Sequence, residues 1–308
     1  MHRPPILFAL TFLLTACAGD PPPGAETEPD WTALQDSTHR VLTITGFSGP
    51  EAVRYDPEAD VYFVANFNGS GGDRDANGFI SRVGGEGEIL SLRFATGTDE
   101  HPLHAPRGMF LQGDTLWAAD ADGVHGFDRT TGTQVAFVDF TTLEPGFLND
   151  VSGSPDGALY VTDTGQSRVY RIVDRTAEVA MADTLLGFPN GITWHPESRQ
   201  FLLMPWGGRQ VWKLWDPESG DLTPFVISPG GRFDGAELID GRVVAASQSD
   251  STLRVHDDET TRPVVKVPGA PADIGYDSRR GRVAVPYIAL DRVDVWELPA
   301  RRAPEDGR

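Results

Sequence analysis

One short phrase returns along this chain, and it restricts the fold more than any other feature. Its clearest copy is Phe188-Pro189-Asn190-Gly191-Ile192-Thr193-Trp194-His195-Pro196. A polar residue after proline opens a short apolar run, a proline turn closes it, and a second run follows from Gln200 to Pro205. The other copies are Gly49-Pro50-Glu51-Ala52-Val53, Ala105-Pro106-Arg107-Gly108-Met109, Phe147-Leu148-Asn149-Asp150-Val151, Arg232-Phe233-Asp234-Gly235-Ala236 and Pro271-Ala272-Asp273-Ile274-Gly275. Their polar residues stand at 51, 107, 149, 190, 234 and 273, separated by 56, 42, 41, 44 and 39 residues. Six units with a period near forty predict an all-β chain folded as a six-bladed β-propeller. Each phrase then starts the innermost strand of a blade, and the polar residues form a ring around the central channel. The chemistry is expected there.

The rest of each unit reads as further strands. In the first, Ala52–Tyr55 turns through Asp56-Pro57-Glu58-Ala59-Asp60 into Val61–Ala65, whose β-branched and aromatic residues mark a strand. Third strands are predicted at Phe79–Val83, Gly123–Phe127, Arg168–Ile172, Val211–Trp215, Thr252–Val255 and Arg292–Leu298. No window carries a long helical period. The sixth unit has only three strands, and Arg40–Thr45 at the other end supplies the fourth. An N-terminal strand would thus close the ring and remove its open edges. The predicted boundaries are a propeller over 39–300 and a short tail over 301–308.

What precedes the propeller is read as targeting. Arg3 and the apolar run Ile6–Leu14 lead into Leu14-Thr15-Ala16-Cys17, which resembles a bacterial lipobox. In that resemblance residues 1–17 are a lipoprotein signal, and Cys17, the one cysteine of the chain, carries the lipid. Ala18 after it points to the outer membrane, facing the periplasm. Residues 18–38 are rich in Pro, Gly, Thr and acidic groups and read as a tether from the bilayer. The formal net charge of −19 argues against nucleic acid as a partner and favours divalent cations. The chain is read as a monomer that meets a small-molecule substrate.

Glu51, Asn149, Asn190 and Asp234 offer two carboxylates and two amide carbonyls at the same blade position. An all-oxygen set with charge −2 suits Ca²⁺ or another hard divalent cation. A single Asn-Gly is only a turn signal; four ring positions carry more weight. Asp73, Asp75, Asn77 and Gly78 match the opening of a calcium loop, but its twelfth position is Gly84 rather than a carboxylate. An Asx-stabilised turn is the simpler reading of that loop. By its place between second and third strands it should lie at the channel entrance, where it can act as a lid.

The phrases GPEAVRYDP, FLNDVSGSPDGALYVTD, FPNGITW and FDGAEL resemble the senescence-marker-protein/gluconolactonase/luciferin-regenerating-enzyme-like family, and the related diisopropyl fluorophosphatase and paraoxonase propellers. The resemblance covers about residues 40–299. It implies that Glu51, Asn149, Asn190 and Asp234 hold a catalytic divalent cation. It also implies a hydrolase of lactones, organophosphates or related esters, with Asp234 as nucleophile or general base besides being a ligand. Arg107 would serve either a substrate carboxylate or phosphate, or the balance of charge against Asp150 and Asp273. His104 would be either a proton carrier at the channel mouth or an exposed loop histidine. Asp150 and Asp273 are the candidates for a second cation site; Asp273 stands where some relatives place a functional histidine. The rival class is a metal-dependent binding or protein-interaction propeller that catalyses nothing.

Overall fold

A computed structural model describes residues 39–208, 210–257 and 260–298. The expected signal segment with Cys17, the tether and the C-terminal tail lie outside the described residues. Six antiparallel sheets of four strands each make up the fold. The innermost strands are Pro50–Asp56, Met109–Gln112, Leu148–Gly153, Pro189–His195, Phe233–Ile239 and Gly275–Asp277. Each of these strands touches the next around the ring, and the last returns to the first. The third strands fall where the repeat places them, with ends differing by a residue or so. Helical structure among the described residues is confined to three 3₁₀ turns, at Thr141–Leu143, Thr184–Leu186 and Ile288–Leu290.

Closure occurs at the predicted place. His39–Thr45 pairs antiparallel with Arg292–Glu297 and completes the sixth blade. Thr43 Oγ1 donates to Asp294 Oδ1 at 2.9 Å, and Arg40 lies 3.5 Å from the same buried carboxylate. Ile44 and Phe47 bury against Val53 and Tyr62 of blade one and Val293 and Val295 of blade six. Full burial of such a side chain contributes about 1.5–3 kcal/mol, so the strand locks the ring through packing as much as through its hydrogen bonds.

The core is distributed in the same way. Each of the six apolar clusters lies at a seam between neighbouring blades. The blade faces therefore alternate inward toward a neighbour, as a ring of stacked sheets requires.

Near the axis the inner strands approach too closely for side chains. A Cβ on Gly191 would meet the carbonyl of Asp234, and one on Gly235 would fall on the carboxylate of Asp273. Asn190-Gly191 thus lies within a strand, not in the turn that the dipeptide usually marks. Gly235→Ala should destabilise the protein by about 1–3 kcal/mol through overpacking. Equilibrium unfolding in urea measures this, and an unchanged midpoint would contradict the close approach.

Candidate active site in the central channel

Four of the inner strands carry a bulge at the start of the recurring phrase. Pairing jumps from Pro50↔Asn66 to Ala52↔Ala65, leaving Glu51 as the extra residue. It jumps likewise across Asn149 and Asp150, across Asn190 and Gly191, and across Asp234 and Gly235. A bulge re-aims a side chain that regular alternation would send into a seam. In blade two the strand pairing is unbroken, and Arg107 lies before it. In blade six Asp273 forms only an isolated bridge with Ala52.

Glu51, Asn149, Asn190 and Asp234 are all buried and together line one cavity of about 330 Å³. Three of their oxygens, Glu51 Oε2, Asn190 Oδ1 and Asp234 Oδ1, are buried and accept no hydrogen bond. Such acceptors carry a desolvation cost of about 1–3 kcal/mol each, more when charged, unless something else binds them. Two further polar atoms of the ring are held by the protein. Gln248 Nε2 donates to Asp234 Oδ2 at 2.6 Å, and Asn149 Nδ2 donates to Thr164 Oγ1 at 3.1 Å. Thr164 in turn donates to the Pro189 carbonyl at 2.8 Å, which fixes the Asn149 amide.

Electrostatics follows from this crowding. Burial, then the neighbouring charge of Asp150, pushes Asp234 up to about 7. Burial and the charge of Asp234 raise Glu51 well above the usual carboxylate range. Asp273 is also raised, by burial and then by Asp150. Four buried carboxylates (Glu51, Asp150, Asp234 and Asp273) and the partly buried Glu237 share the channel with Arg54 and Arg107. The formal excess of three negative charges, together with the unpartnered oxygens, fits a divalent cation at the ring.

A second ring forms the cavity wall. Second strands end at Asn66, Asp163, Pro205, Ser247 and Tyr287, or one residue before the wall in each case. The residues that follow are Phe67, Thr164, Trp206, Gln248 and Ile288, and all five line the cavity together with Phe147. The equivalent place in blade two holds Asp120, which has another task. Its oxygens accept from the backbone N–H groups of His104 and Ala105 at 2.7 and 2.6 Å. Asp163 ties Gly146 and Phe147 in the same manner, at 2.9 and 2.8 Å.

Arg107 is only 1% exposed and does not line the cavity. It donates to the Gly71 carbonyl and stacks on Phe147, with 3.8 Å from its guanidinium carbon to the ring centroid. Burial lowers its pKa, opposed by Asp120 and Glu51. The side chain therefore anchors the 67–78 loop, whose first residue, Phe67, is a wall of the cavity. Arg107→Ala should loosen this loop, and limited proteolysis should cut between 67 and 78 at least several-fold faster. Equal cleavage of both proteins would remove the anchor role.

His104 also stays outside the cavity. Its Nδ1 accepts from Ala76 N–H at 3.0 Å, and its Nε2 lies 3.5 Å from Asp122. Asp120, Asp122 and His125 bring their ligand atoms within 4.8 Å of one another, a spacing a metal ion can bridge. Protein groups already engage much of this set, since both Asp120 oxygens accept backbone N–H groups and Gln134 Nε2 sits 3.1 Å from His125 Nδ1. Deeper in the channel, Arg54 spans from blade one to blade five. It bonds Glu237 at 2.6 Å and the Met109 carbonyl at 2.7 Å, and lies 3.7 Å from Asp273. Asp150 accepts from Val151 and Ile192 N–H at 2.7 and 2.9 Å. The expected second-cation pair thus has an arginine and backbone donors around it. In the loop, Asp73 accepts from Ser70 N–H at 3.1 Å and Asp75 from Asn77 Nδ2 at 2.6 Å, so each carboxylate has a partner within the loop itself.

The model of the SMP-30/gluconolactonase/LRE-like region matches residues 85–272. The chain belongs to this family. Comparison with curated protein sequences gives no match. Among solved structures, a protein designated a gluconolactonase superposes with a TM-score of 0.63 at 16% identity, covering 85% of this chain and 92% of its own. A gluconolactonase from Xanthomonas campestris gives 0.58 at 15% identity, covering 85% and 99%. A streptogramin B lyase gives 0.60 at 13% identity, covering 87% and 99%. At such identities these likenesses establish the propeller fold, which this family member shares with proteins of different chemistry.

Proposed function

We propose that this family member is a divalent-cation-dependent hydrolase of a small lactone, ester or phosphotriester, acting at the ring of Glu51, Asn149, Asn190 and Asp234. The observation that carries the reading is the set of unpartnered buried oxygens facing one cavity. Family membership supports hydrolysis. Ca²⁺, held by the four ring residues, would polarise the carbonyl or phosphoryl oxygen of the substrate.

The residues of the chain divide the remaining work. Gln248 pins one oxygen of Asp234 and leaves Oδ1 open to the cavity, where it can attack as a nucleophile or take a proton from water. Thr164 turns the Asn149 amide so that its oxygen, not its nitrogen, faces the site. Phe67, Phe147, Trp206 and Ile288 limit the water around the reacting groups. Metal analysis of the purified protein, followed by lactone, ester and phosphotriester assays with Ca²⁺ or chelator, tests the reading. Turnover abolished by chelator is expected. A bound cation with no turnover of any of these substrates would favour the binding propeller instead.

We also propose that the chain is held at the outer membrane, facing the periplasm, through lipidated Cys17, on the strength of its lipobox-like segment. Cys17→Ser should abolish incorporation of labelled fatty acid. Equal labelling of both proteins would rule this out.

A further inference from the structure

We infer that the cavity selects neutral, hydrophobic lactones or esters over polyhydroxylated or anionic ones. This specificity rests on the hydrolase reading above and follows from what stands around the ring. Four wall residues, Phe67, Phe147, Trp206 and Ile288, are apolar. The two polar wall residues are already engaged: Thr164 bonds Asn149 and the Pro189 carbonyl, and Gln248 bonds Asp234. A sugar-like substrate would therefore bury several hydroxyls against carbon. Each hydroxyl left without a partner weakens binding by roughly one order of magnitude.

Charge leads to the same selection. No cation lines the cavity among the described residues. Arg107 is turned to the Gly71 carbonyl and stacked on Phe147. Arg232 lies over the Trp206 ring, 5.8 Å from its centroid, without forming part of the wall. The carboxylates of Glu51 and Asp234 formally cancel a divalent ion, so among the described residues lining the cavity no net positive charge remains to attract an anionic substrate. The apolar surface also continues outward. Phe188 is 49% exposed, and its carbonyl accepts from Trp206 N–H at 3.0 Å. An alkyl or aryl substituent can run from the polar floor along this side.

The test uses the full-length protein with Ca²⁺ and compares γ-lactones of increasing alkyl length with gluconolactone. Each methylene buried against the wall should raise kcat/KM by about fourfold until the cavity fills. The longer alkyl lactones should exceed gluconolactone by about 100-fold. A second measurement needs no turnover: calorimetric binding of an alkyl cyclopentanone, a neutral carbonyl compound that cannot be hydrolysed. Trp206→Ala should weaken that binding about tenfold, with Trp206→Leu largely restoring it. Gluconolactone turned over as well as the alkyl lactones would overturn the inference and leave the hydrolase reading standing. Cyclopentanone binding through Trp206 without turnover of any lactone or ester would uphold the apolar selectivity and sink the hydrolase. Absence of both alkyl-lactone turnover and alkyl-cyclopentanone binding would overturn the inference.

Discussion

Asp234→Asn should weaken Ca²⁺ binding by at least about 100-fold and remove hydrolytic activity, while making the metal-free protein more stable. The two effects have opposite signs because they come from the same charge. Asp234 is 2% exposed, and its carboxylate repels Glu51 and Asp150 in a confined channel. The amide is nearly the same size and removes that repulsion. It also removes half of the ring's formal negative charge, which a divalent ion needs. A residue kept only for packing would not behave in this way, since an isosteric change would leave both quantities close to wild type. Calorimetric titration with Ca²⁺ and thermal melting in chelator measure the two. Unchanged Ca²⁺ affinity would dissolve the ring assignment.

The repeat made the architecture legible because propeller blades are built alike. Polar residues at one place in the repeat must come to one place around the axis, and that held for Glu51, Asn149, Asn190 and Asp234. Closure was readable because blade six lacked a strand and Arg40–Thr45 had no other partner. The bulges were not legible. A bulge shows only as an extra residue against a partner strand, and the register of that strand is not written locally. The same limit hid the side-chain direction at Arg107. It precedes its strand instead of sitting in a bulge, so it turns to Gly71 and Phe147. The wall residues could have been found. Phe67, Thr164, Trp206, Gln248 and Ile288 share a repeat position, just as the ring residues do, but their chemical types differ too much to mark them as one ring.

In chelator, the protein should lose stability as pH rises from 5 to 8, and Ca²⁺ should restore it at the upper end. Burial, then Asp150, holds Asp234 at about 7 in the fold, and burial holds Asp150 at about 6. The unfolded chain releases these protons near pH 4. Between about 4 and 7 the folded state therefore binds more protons than the unfolded one. The stability from each proton is complete below pH 4 and is lost as pH climbs through the folded value. For Asp234 the loss is on the order of 4 kcal/mol. Carboxylates whose values are lowered, such as Asp60 beside Arg280, act in the other direction, but only as pH falls below 4. The window from 5 to 8 thus isolates the channel from them. Self-repulsion in a chain of net charge −19 would slope the same way, so Asp234→Asn is the control. Its melting temperature should fall less between pH 5 and 8 than that of the wild type. Cation binding needs the ionised carboxylates, so Ca²⁺ affinity should drop by up to about tenfold per pH unit below 7 for each ligand carboxylate that must lose a proton. A wild-type melting temperature in chelator that stays level or rises from pH 5 to 8 would show that these carboxylates are not held protonated by the fold.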